Sequence, residues 1–257
     1  MKTKLYFDSL SIEVTRKCNM NCAHCLRGES EKTDLDLSNV RKLLEHTEHI
    51  NMLTLTGGEP SLAIDKIEQV LDICNEMTIP IDSFYVVTNG KEVTDRFLCA
   101  LIKWYAYCIQ YSSEPELSGI ALSKDQFHEP IPEINERLLR SLAFFTEDKM
   151  INTKKPQYVI PMGRAQNIDR HEYNIEYTYW RNDEEEDPTV EFRDEMLYIE
   201  STVALTCDGE ILKSCDYPYD NTKPYRIGDV DHMDDLEQYL TQLAIANGDD
   251  VPEELVS

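Results

Sequence analysis

The stretch LSIEVTRKCNMNCAHC, residues 10–25, joins a short β-branched run to three cysteines in a C-x₃-C-x₂-C frame. The run Leu10–Thr15 is typical of a strand, and Cys18, Cys22 and Cys25 follow it directly. Three thiols are an odd number, because structural zinc takes four closed ligands and disulfides need pairs. A cluster of four irons and four sulfides has four corners, so three thiolates would leave one iron open for a further ligand.

Zinc and unpartnered surface thiols are the alternatives on spacing alone. A zinc ion would need a fourth ligand such as His24. His24 stands between two of the cysteines, where its backbone already wraps the bound group, so it is a poor fourth ligand. The spacing therefore favours an iron-sulfur cluster over zinc.

Apolar runs alternate with helical patterns beyond the cysteines, which is typical of βα units around a parallel sheet. The predicted strands are Leu10–Thr15, Met52–Thr56, 83–90, 119–123 and 157–163. The predicted helices begin at Ser38, cover 61–77, and run from about Val93 to Tyr111 and from about Pro132 to Thr146. We therefore expect an α/β fold.

The pattern changes after residue 180. The polar run Arg181–Pro188 indicates a solvated loop. Residues 197–215 alternate around Asp208-Gly209, which predicts a hairpin with a two-residue type I′ turn. A last helix is predicted from about Met233 to Ala246. We expect a core domain over 1–180 and a C-terminal extension over 181–257 that packs on it.

Composition limits the class of protein. The chain has 257 residues, of which 41% are hydrophobic, enough for one sizeable core. It has no apolar run of eighteen residues and no secretory signal, so we expect a cytoplasmic protein and no membrane partner. In that reducing compartment the eight cysteines should bind metal or be buried, and Cys74, Cys99 and Cys108 are predicted to lie in the core.

The net charge of −24 disfavours a nucleic-acid partner, because 49 acidic residues face 25 basic ones. Such a charge mainly supports solubility, and steering of a basic peptide is the functional alternative.

Two motifs together resemble the radical S-adenosylmethionine superfamily: the cysteine frame after the first strand and TGGEP, Thr56–Pro60, after the second. In that family, three cysteines hold a four-iron four-sulfur cluster, and the methionine part of S-adenosylmethionine chelates the free iron. The resemblance implies that Cys18, Cys22 and Cys25 are metal ligands. It also implies a partial (β/α)6 TIM-type barrel with a C-terminal β-hairpin extension.

The same resemblance implies a wall that binds S-adenosylmethionine. Its predicted members are Thr56, Gly57, Gly58, Glu59, Pro60, Asn89 and Ser123. The two glycines would let bare backbone approach a small polar ligand. Asp125 and His128, in the SKDQFH segment, are candidate acid or base groups on the substrate side. The alternative is that Asp125 caps the following loop and His128 packs.

The late hairpin resembles the start of an extension that holds auxiliary clusters in many relatives, but only Cys207 and Cys215 are available here. On the two-residue turn they would lie roughly 16 Å apart, too far to share one cluster or disulfide. We therefore expect no auxiliary cluster. Cys215 is a candidate hydrogen-atom donor, with a buried thiol as the alternative.

The resemblance implies an enzyme that reductively cleaves S-adenosylmethionine to a 5′-deoxyadenosyl radical, which takes hydrogen from a substrate. PMGRA, Pro161–Ala165, is similar to a segment of peptide-modifying members, which favours a peptide or protein side chain, as in maturation of a ribosomal peptide natural product. An external one-electron donor of flavodoxin or ferredoxin type would be needed. The alternatives are a glycyl-radical enzyme activating enzyme and a non-catalytic electron-transfer or metal-binding module.

Overall fold

The computed structural model describes residues 4–112, 115–147, 158–177, 187–252 and Leu255. Its main-sheet strands are β1 (Lys4–Thr15), β2 (Thr47–Gly57), β3 (Ile81–Thr88), β4 (Gly119–Leu122), β7 (Val190–Arg193), β8 (Met196–Leu205), β9 (Glu210–Leu212) and β10 (Arg226–Asp229). A separate pair is formed by β5 (Tyr158–Val159) and β6 (Glu176–Tyr177). The α-helices are α1 (Leu37–Leu44), α2 (Ile64–Met77), α3 (Asp95–Cys108), α4 (Glu133–Arg140), α5 (Arg170–Tyr173) and α6 (Met233–Asn247).

The α/β prediction is confirmed. The main sheet has the order β10-β9-β8-β1-β2-β3-β4, and β7 pairs with β8. Strands β1 to β4 are parallel neighbours, each followed by helical structure, and β8 pairs with β1 in parallel on the other side. Because parallel strands present their carboxyl ends at one edge, the loops after β1 to β4 meet there.

Helix α1 begins one residue earlier than predicted. The Asp36 carboxylate accepts a hydrogen bond from the Ser38 backbone N–H at 2.9 Å, so Asp36, and not Ser38, caps the helix. Capping needs a side-chain oxygen just before the first helical residue. Asp36 and Ser38 both carry such an oxygen and flank Leu37, but only Asp36 precedes it.

The cysteine burial prediction holds for two of three residues. Cys74 and Cys108 are buried in the core, whereas Cys99 is exposed, so the prediction for Cys99 is wrong. The buried side of α3 includes Phe97 and Leu101, at a spacing of four, and position 99 falls between them on the opposite face.

The predicted helix to Thr146 stops at Arg140. The chain then runs beside β4, where Ile120 N donates to Phe144 O and Thr146 N donates to Ile120 O. The predicted strand 157–163 is reduced to Tyr158–Val159, which pairs with β6 within the described residues. Most of Arg181–Pro188, residues 181–186, lies outside the described residues.

The late hairpin exists, but its turn differs from the prediction. Strands β8 and β9 pair antiparallel through Ala204–Leu212 and Leu205–Ile211. Only Gly209 has positive φ, at +89°, whereas a type I′ turn needs it at both central residues. The Thr206 carbonyl accepts from the Gly209 N–H, and its hydroxyl accepts from the Glu210 N–H, which closes a longer loop.

The C-terminal segment contributes directly to the main sheet. Strand β8 lies against β1 over Lys4–Ile12, and buried side chains of β8 join the core formed by β1 and β2. None of the described helices combines the length and the apolar character that crossing a lipid bilayer requires.

Candidate cofactor site

A cavity of about 590 Å³ opens where β1 to β4 end. Every predicted site residue except Cys215 lines it: Cys18, Cys22, Cys25, Thr56, Gly57, Gly58, Glu59, Pro60, Asn89, Ser123, Asp125 and His128. Residues separated by more than 100 positions in the sequence therefore share one cavity.

The three thiols of the cysteine loop, residues 18–25, are partly buried and none is in a disulfide. Burial raises the pKa of Cys18, and burial with the neighbouring Cys18 and Cys25 raises the pKa of Cys22 to about 12. Partly buried thiols on one short loop, with the positive charge of Arg164 nearby, fit a metal site, because a bound metal ion would deprotonate them.

Among the described residues, the one set of three ligating groups whose atoms lie within 4.8 Å of one another is His24, Asp125 and His128. This set borders the same cavity as the three thiols.

The two glycines of GGEP hold the base of the cysteine loop. Gly58 N donates to Thr15 O, and Glu59 N donates to Lys17 O, both at 2.8 Å. A Cβ at Gly57 would lie 2.0 Å from Thr15 O, and one at Gly58 would lie 2.2 Å from Lys17 O. Only glycine therefore fits at these two positions, because any side chain would collide with the cysteine loop. This is a second reason for glycine here, in addition to the predicted approach of a ligand to the backbone.

Glu59 joins the ends of β2 and β3. Its side chain is buried and accepts from Ser61 N at 3.0 Å, Thr88 Oγ1 at 2.7 Å and Asn89 N at 2.7 Å. Burial raises the pKa of Glu59, against the opposing effect of these donors. The Glu59 carboxylate therefore positions Ser61, Thr88 and Asn89. The part of this segment that borders the cavity is mainly its backbone.

Asn89 connects the end of β3 to the cysteine loop. Its Nδ2 donates to Asn19 Oδ1 at 2.9 Å and lies 3.9 Å from Cys18 Sγ. Lys91 reinforces the contact, because its Nζ donates to Asn19 O at 2.7 Å.

Ser123, Asp125 and His128 form a hydrogen-bonded chain along one wall. Ser123 Oγ lies 3.1 Å from His128 Nε2, and His128 Nδ1 lies 2.7 Å from Asp125 Oδ1. The ring of His24 stacks on Phe127, and its Nε2 lies 3.3 Å from Asp125 Oδ2.

The electrostatics of this wall follow from burial and the shared carboxylate. Burial lowers the pKa of His24 to about 4, although the Asp125 charge opposes it. Burial alone would raise the pKa of Asp125, but the hydrogen bond from His128 and the nearby His24 outweigh it and hold this pKa below its usual value.

Arg164 lies within PMGRA, and the sequence did not indicate that it contacts the cysteine loop. Its Nε donates to Cys22 O at 2.9 Å, and its backbone N donates to Cys25 O at 3.0 Å. The preceding Gly163 has φ +52°, and a Cβ there would lie 2.4 Å from Gly28 N. This segment therefore packs on the cysteine loop.

Arg27 was also missed. Its Nη1 donates to Tyr217 O at 3.1 Å, its Cζ lies 4.1 Å from the Tyr217 ring centroid, and its backbone O accepts from Tyr219 N. The partner is 190 residues away in the chain, so no local pattern could have indicated the contact.

The two late cysteines lie apart from the cavity lining. Cys207 is buried, and its thiol donates to Glu13 O at 3.3 Å. Cys215 is partly buried and packs on the tyrosine cluster that contains Tyr217 and Tyr225. Cys215 is not among the residues that line the cavity, although the next residue, Asp216, is, so hydrogen donation by Cys215 stays a prediction.

Comparison with known proteins identifies a family for the first part of the chain. Residues 12–105 match the Radical SAM superfamily, and this range contains the cysteine loop, GGEP and Asn89. An uncharacterized protein of Methanocaldococcus jannaschii, MJ0907, is 30% identical over 97 residues, which are 37% of this chain and 34% of that protein. A GTP 3′,8-cyclase of Tolumonas auensis is 30% identical over 96 residues, which are 35% of this chain and 28% of that protein. The matched region spans about a third of these curated relatives.

The fold has a solved counterpart over nearly the whole chain. The structure of anSMEcpe with bound AdoMet and the Cp18Cys peptide has a TM-score of 0.52 and 14% sequence identity. The alignment covers 97% of this chain and 85% of that one. At this identity the likeness shows a common fold.

Proposed function

Because the chain belongs to the Radical SAM superfamily through residues 12–105, we propose that it is an enzyme that reductively cleaves S-adenosylmethionine at one four-iron four-sulfur cluster. One observation carries this proposal: a single cavity is lined by three thiols without disulfides, by GGEP, by Asn89 and by Ser123. When bound, the cluster would supply one electron to the sulfonium, giving methionine and a 5′-deoxyadenosyl radical that takes a hydrogen atom from the substrate.

The chain's own residues would hold and orient these groups. Cys18, Cys22 and Cys25 would bind three corners of the cluster as thiolates. The backbone of Gly57 and Gly58 borders the cavity and offers carbonyl acceptors suited to the ammonium group of S-adenosylmethionine. The hydrogen bonds of Asn89 and Arg164 to the cysteine loop would keep the three thiols in place during the reaction.

The proposal is tested by product formation. Anaerobically reconstituted protein should form 5′-deoxyadenosine from S-adenosylmethionine in the presence of dithionite. Cys18→Ala should abolish both cluster loading and product. Cys99→Ala is the matched control, because Cys99 is exposed on α3 and should leave both unchanged. A fully loaded wild-type protein that forms no 5′-deoxyadenosine would instead favour the electron-transfer module.

We further propose a peptide or protein side chain as substrate, as in maturation of a ribosomal peptide natural product. The support is the common fold with anSMEcpe, whose structure contains bound AdoMet and the Cp18Cys peptide. PMGRA gives less support for a peptide substrate than the sequence implied, because two of its residues, Gly163 and Arg164, contact the cysteine loop. Incubation with short peptides encoded near this gene should give a mass change that requires S-adenosylmethionine. Reaction only with a large glycyl-radical protein would favour the activating-enzyme alternative.

An external one-electron donor of flavodoxin or ferredoxin type and a cytoplasmic location complete the proposal. Both follow from the chemistry, since the cluster must be reduced before each cleavage and its thiolates must stay unoxidised. Stimulation of 5′-deoxyadenosine formation by reduced flavodoxin, without dithionite, is the measurement that checks the donor.

A further inference from the structure

Arg27 is a cation on the wall of the cavity that has no acidic partner among the described residues. It is partly buried, and no described carboxylate lies within 4.0 Å of its guanidinium nitrogens. The two other described arginines that are not exposed both have such partners: Arg16 pairs with Glu13 at 3.0 Å, and Arg164 pairs with Glu29 at 3.5 Å. Because charges removed from water are normally paired, Arg27 is suited to an anion that enters the cavity.

The guanidinium group of Arg27 is held in one orientation. Its Cζ lies 4.1 Å from the ring centroid of Tyr217 and 5.9 Å from that of Tyr219, and its Nη1 donates to Tyr217 O at 3.1 Å. Both tyrosine rings are buried. Of the five N–H donors of a guanidinium, only this one has an acceptor among the described residues. The other N–H groups are therefore preorganised for a ligand.

A carboxylate matches this group better than a phosphate does. Its two oxygens can accept parallel hydrogen bonds from one guanidinium, which stays charged at every physiological pH. A doubly charged phosphate would meet a single free cation, with Asp125 and Asp216 on the border of the same cavity. The net charge of −24 acts mainly at long range, where salt screens it beyond about 10 Å, so the local cation decides the contact.

We propose that Arg27 is a specificity-determining residue that binds a carboxylate of the peptide substrate, either an Asp or Glu side chain or a free C-terminus. The inference rests on the proposed function and names its substrate class more closely. The carboxylate of S-adenosylmethionine is a different group, because the methionine part of that molecule is expected to chelate the open iron.

The first measurement is selection from peptide libraries by cluster-loaded protein with S-adenosylmethionine present. The probes are random hexapeptides with an acetylated N-terminus, in one library with an amidated C-terminus and in another with a free one. Wild type should enrich peptides with Asp or Glu roughly tenfold over those with Asn or Gln in the amidated library, if a side chain supplies the carboxylate. Preference for the free over the amidated library alone would assign the C-terminus.

Arg27→Gln should abolish this selection, and Arg27→Lys should keep a weaker form of it, because lysine retains the charge but not the forked donors. Arg193→Gln is the matched control. Arg193 also lies over a tyrosine ring, 3.9 Å from the centroid of Tyr198, but it is exposed and does not border the cavity. The control should select as wild type does.

Arg27→Glu separates recognition from support of the fold. It should reverse the preference toward peptides with Lys or Arg, which loss of a merely structural contact would not do. Absence of carboxylate enrichment by wild type in both libraries would overturn the inference even if no variant folded. Stronger wild-type enrichment of phosphoserine peptides than of Asp and Glu peptides would overturn it as well.

The second measurement is the Kd for S-adenosylmethionine without peptide, which should differ by less than about twofold between wild type and Arg27→Gln. A large loss of this affinity with unchanged peptide selection would show that Arg27 serves the cofactor and would overturn the inference. Failure of loaded wild type to bind S-adenosylmethionine would instead overturn the proposed function. Selection by Arg27 would then still be decided from the libraries without S-adenosylmethionine.

Discussion

Glu59 determines how the ends of β2 and β3 meet. Three donors converge on its two oxygens: Ser61 N and Thr88 Oγ1 on Oε1, and Asn89 N on Oε2. The side chain is almost fully buried, so water cannot replace a lost partner. Because Asn89 also donates to Asn19 of the cysteine loop, a change at Glu59 would be transmitted to that loop.

Replacing Glu59 by Gln should destabilise the fold by about 1–3 kcal/mol, because the new NH₂ group must face at least one buried donor. For a chain of this size that corresponds to a fall in Tm of roughly 2–12 °C, measured by circular dichroism. Glu76→Gln is the control, since Glu76 forms an exposed ion pair with Arg41 and should change stability by less than about 1 kcal/mol. Equal Tm values for the Glu59 and Glu76 variants would contradict this role.

Single residues differ in how well the sequence predicts them. The location of the cysteines, Gly57 and Asn89 around one cavity could be predicted, because each sits in a short motif directly after a strand. Arg27 and Arg164 could not, since their contacts join segments more than 130 residues apart and depend on the folded chain. Cys99 was misassigned because neighbouring positions of a helix can face opposite ways.

The short helical segment Gly163–Asn167 acts as an element that supports the cysteine loop. Gly163 adopts positive φ and packs on Gly28 and Leu26, and the following Arg164 donates to two loop carbonyls. The loop atoms nearest to Gly163 belong to the backbone, and backbone atoms cannot move aside as a flexible side chain can.

Gly163→Ala should impair cluster loading, because the added Cβ would lie 2.4 Å from Gly28 N and Leu26 O. Gly248→Ala is the matched control: Gly248 also has positive φ, +98°, but no atom lies within 4 Å of its added Cβ. The control should lose about 1 kcal/mol of stability and still bind iron fully. Iron per chain after anaerobic reconstitution measures the difference, and full loading of Gly163→Ala would refute the supporting role.

Some helices and strands could be predicted from the sequence, whereas one turn type and one helix end could not. Alternating strands and helices up to α3 follow from periodicity, and the hairpin β8–β9 follows from Asp208-Gly209. The turn type was wrong because the Thr206 side chain caps a longer loop. The end of α4 was also wrong, because the edge of β4 offers residues 144–146 hydrogen bonds outside a helix.

At the level of the whole molecule, the C-terminal segment completes the sheet around β1. Strand β8 lies parallel to β1 and contributes buried Leu197, Ile199, Val203 and Leu205. Tyr217 and Tyr219 add a contact to the cysteine loop through Arg27. Parallel pairing between strands far apart in sequence has no local pattern, so the sequence suggested an extension packed on the core and missed the shared sheet.

A chain that ends at Tyr177 should fail to fold cooperatively, because β1 would lose one neighbour and the core would be opened to water. A chain that ends at Pro252 is the control and keeps every described strand. Thermal unfolding and amide hydrogen exchange of β1 measure the effect. Cooperative melting of the shorter chain, with protected β1 amides, would instead support the predicted boundary at residue 180 as a true domain limit.

The most direct test of the cluster assignment is electron paramagnetic resonance of the anaerobically reconstituted and reduced protein, recorded with and without S-adenosylmethionine. We predict about four irons per chain and a reduced-cluster signal whose g values shift when S-adenosylmethionine is added, because the ligand binds the iron that Cys18, Cys22 and Cys25 leave open. Tetrahedral zinc in the cysteine loop, or a cluster signal unchanged by S-adenosylmethionine, would contradict it.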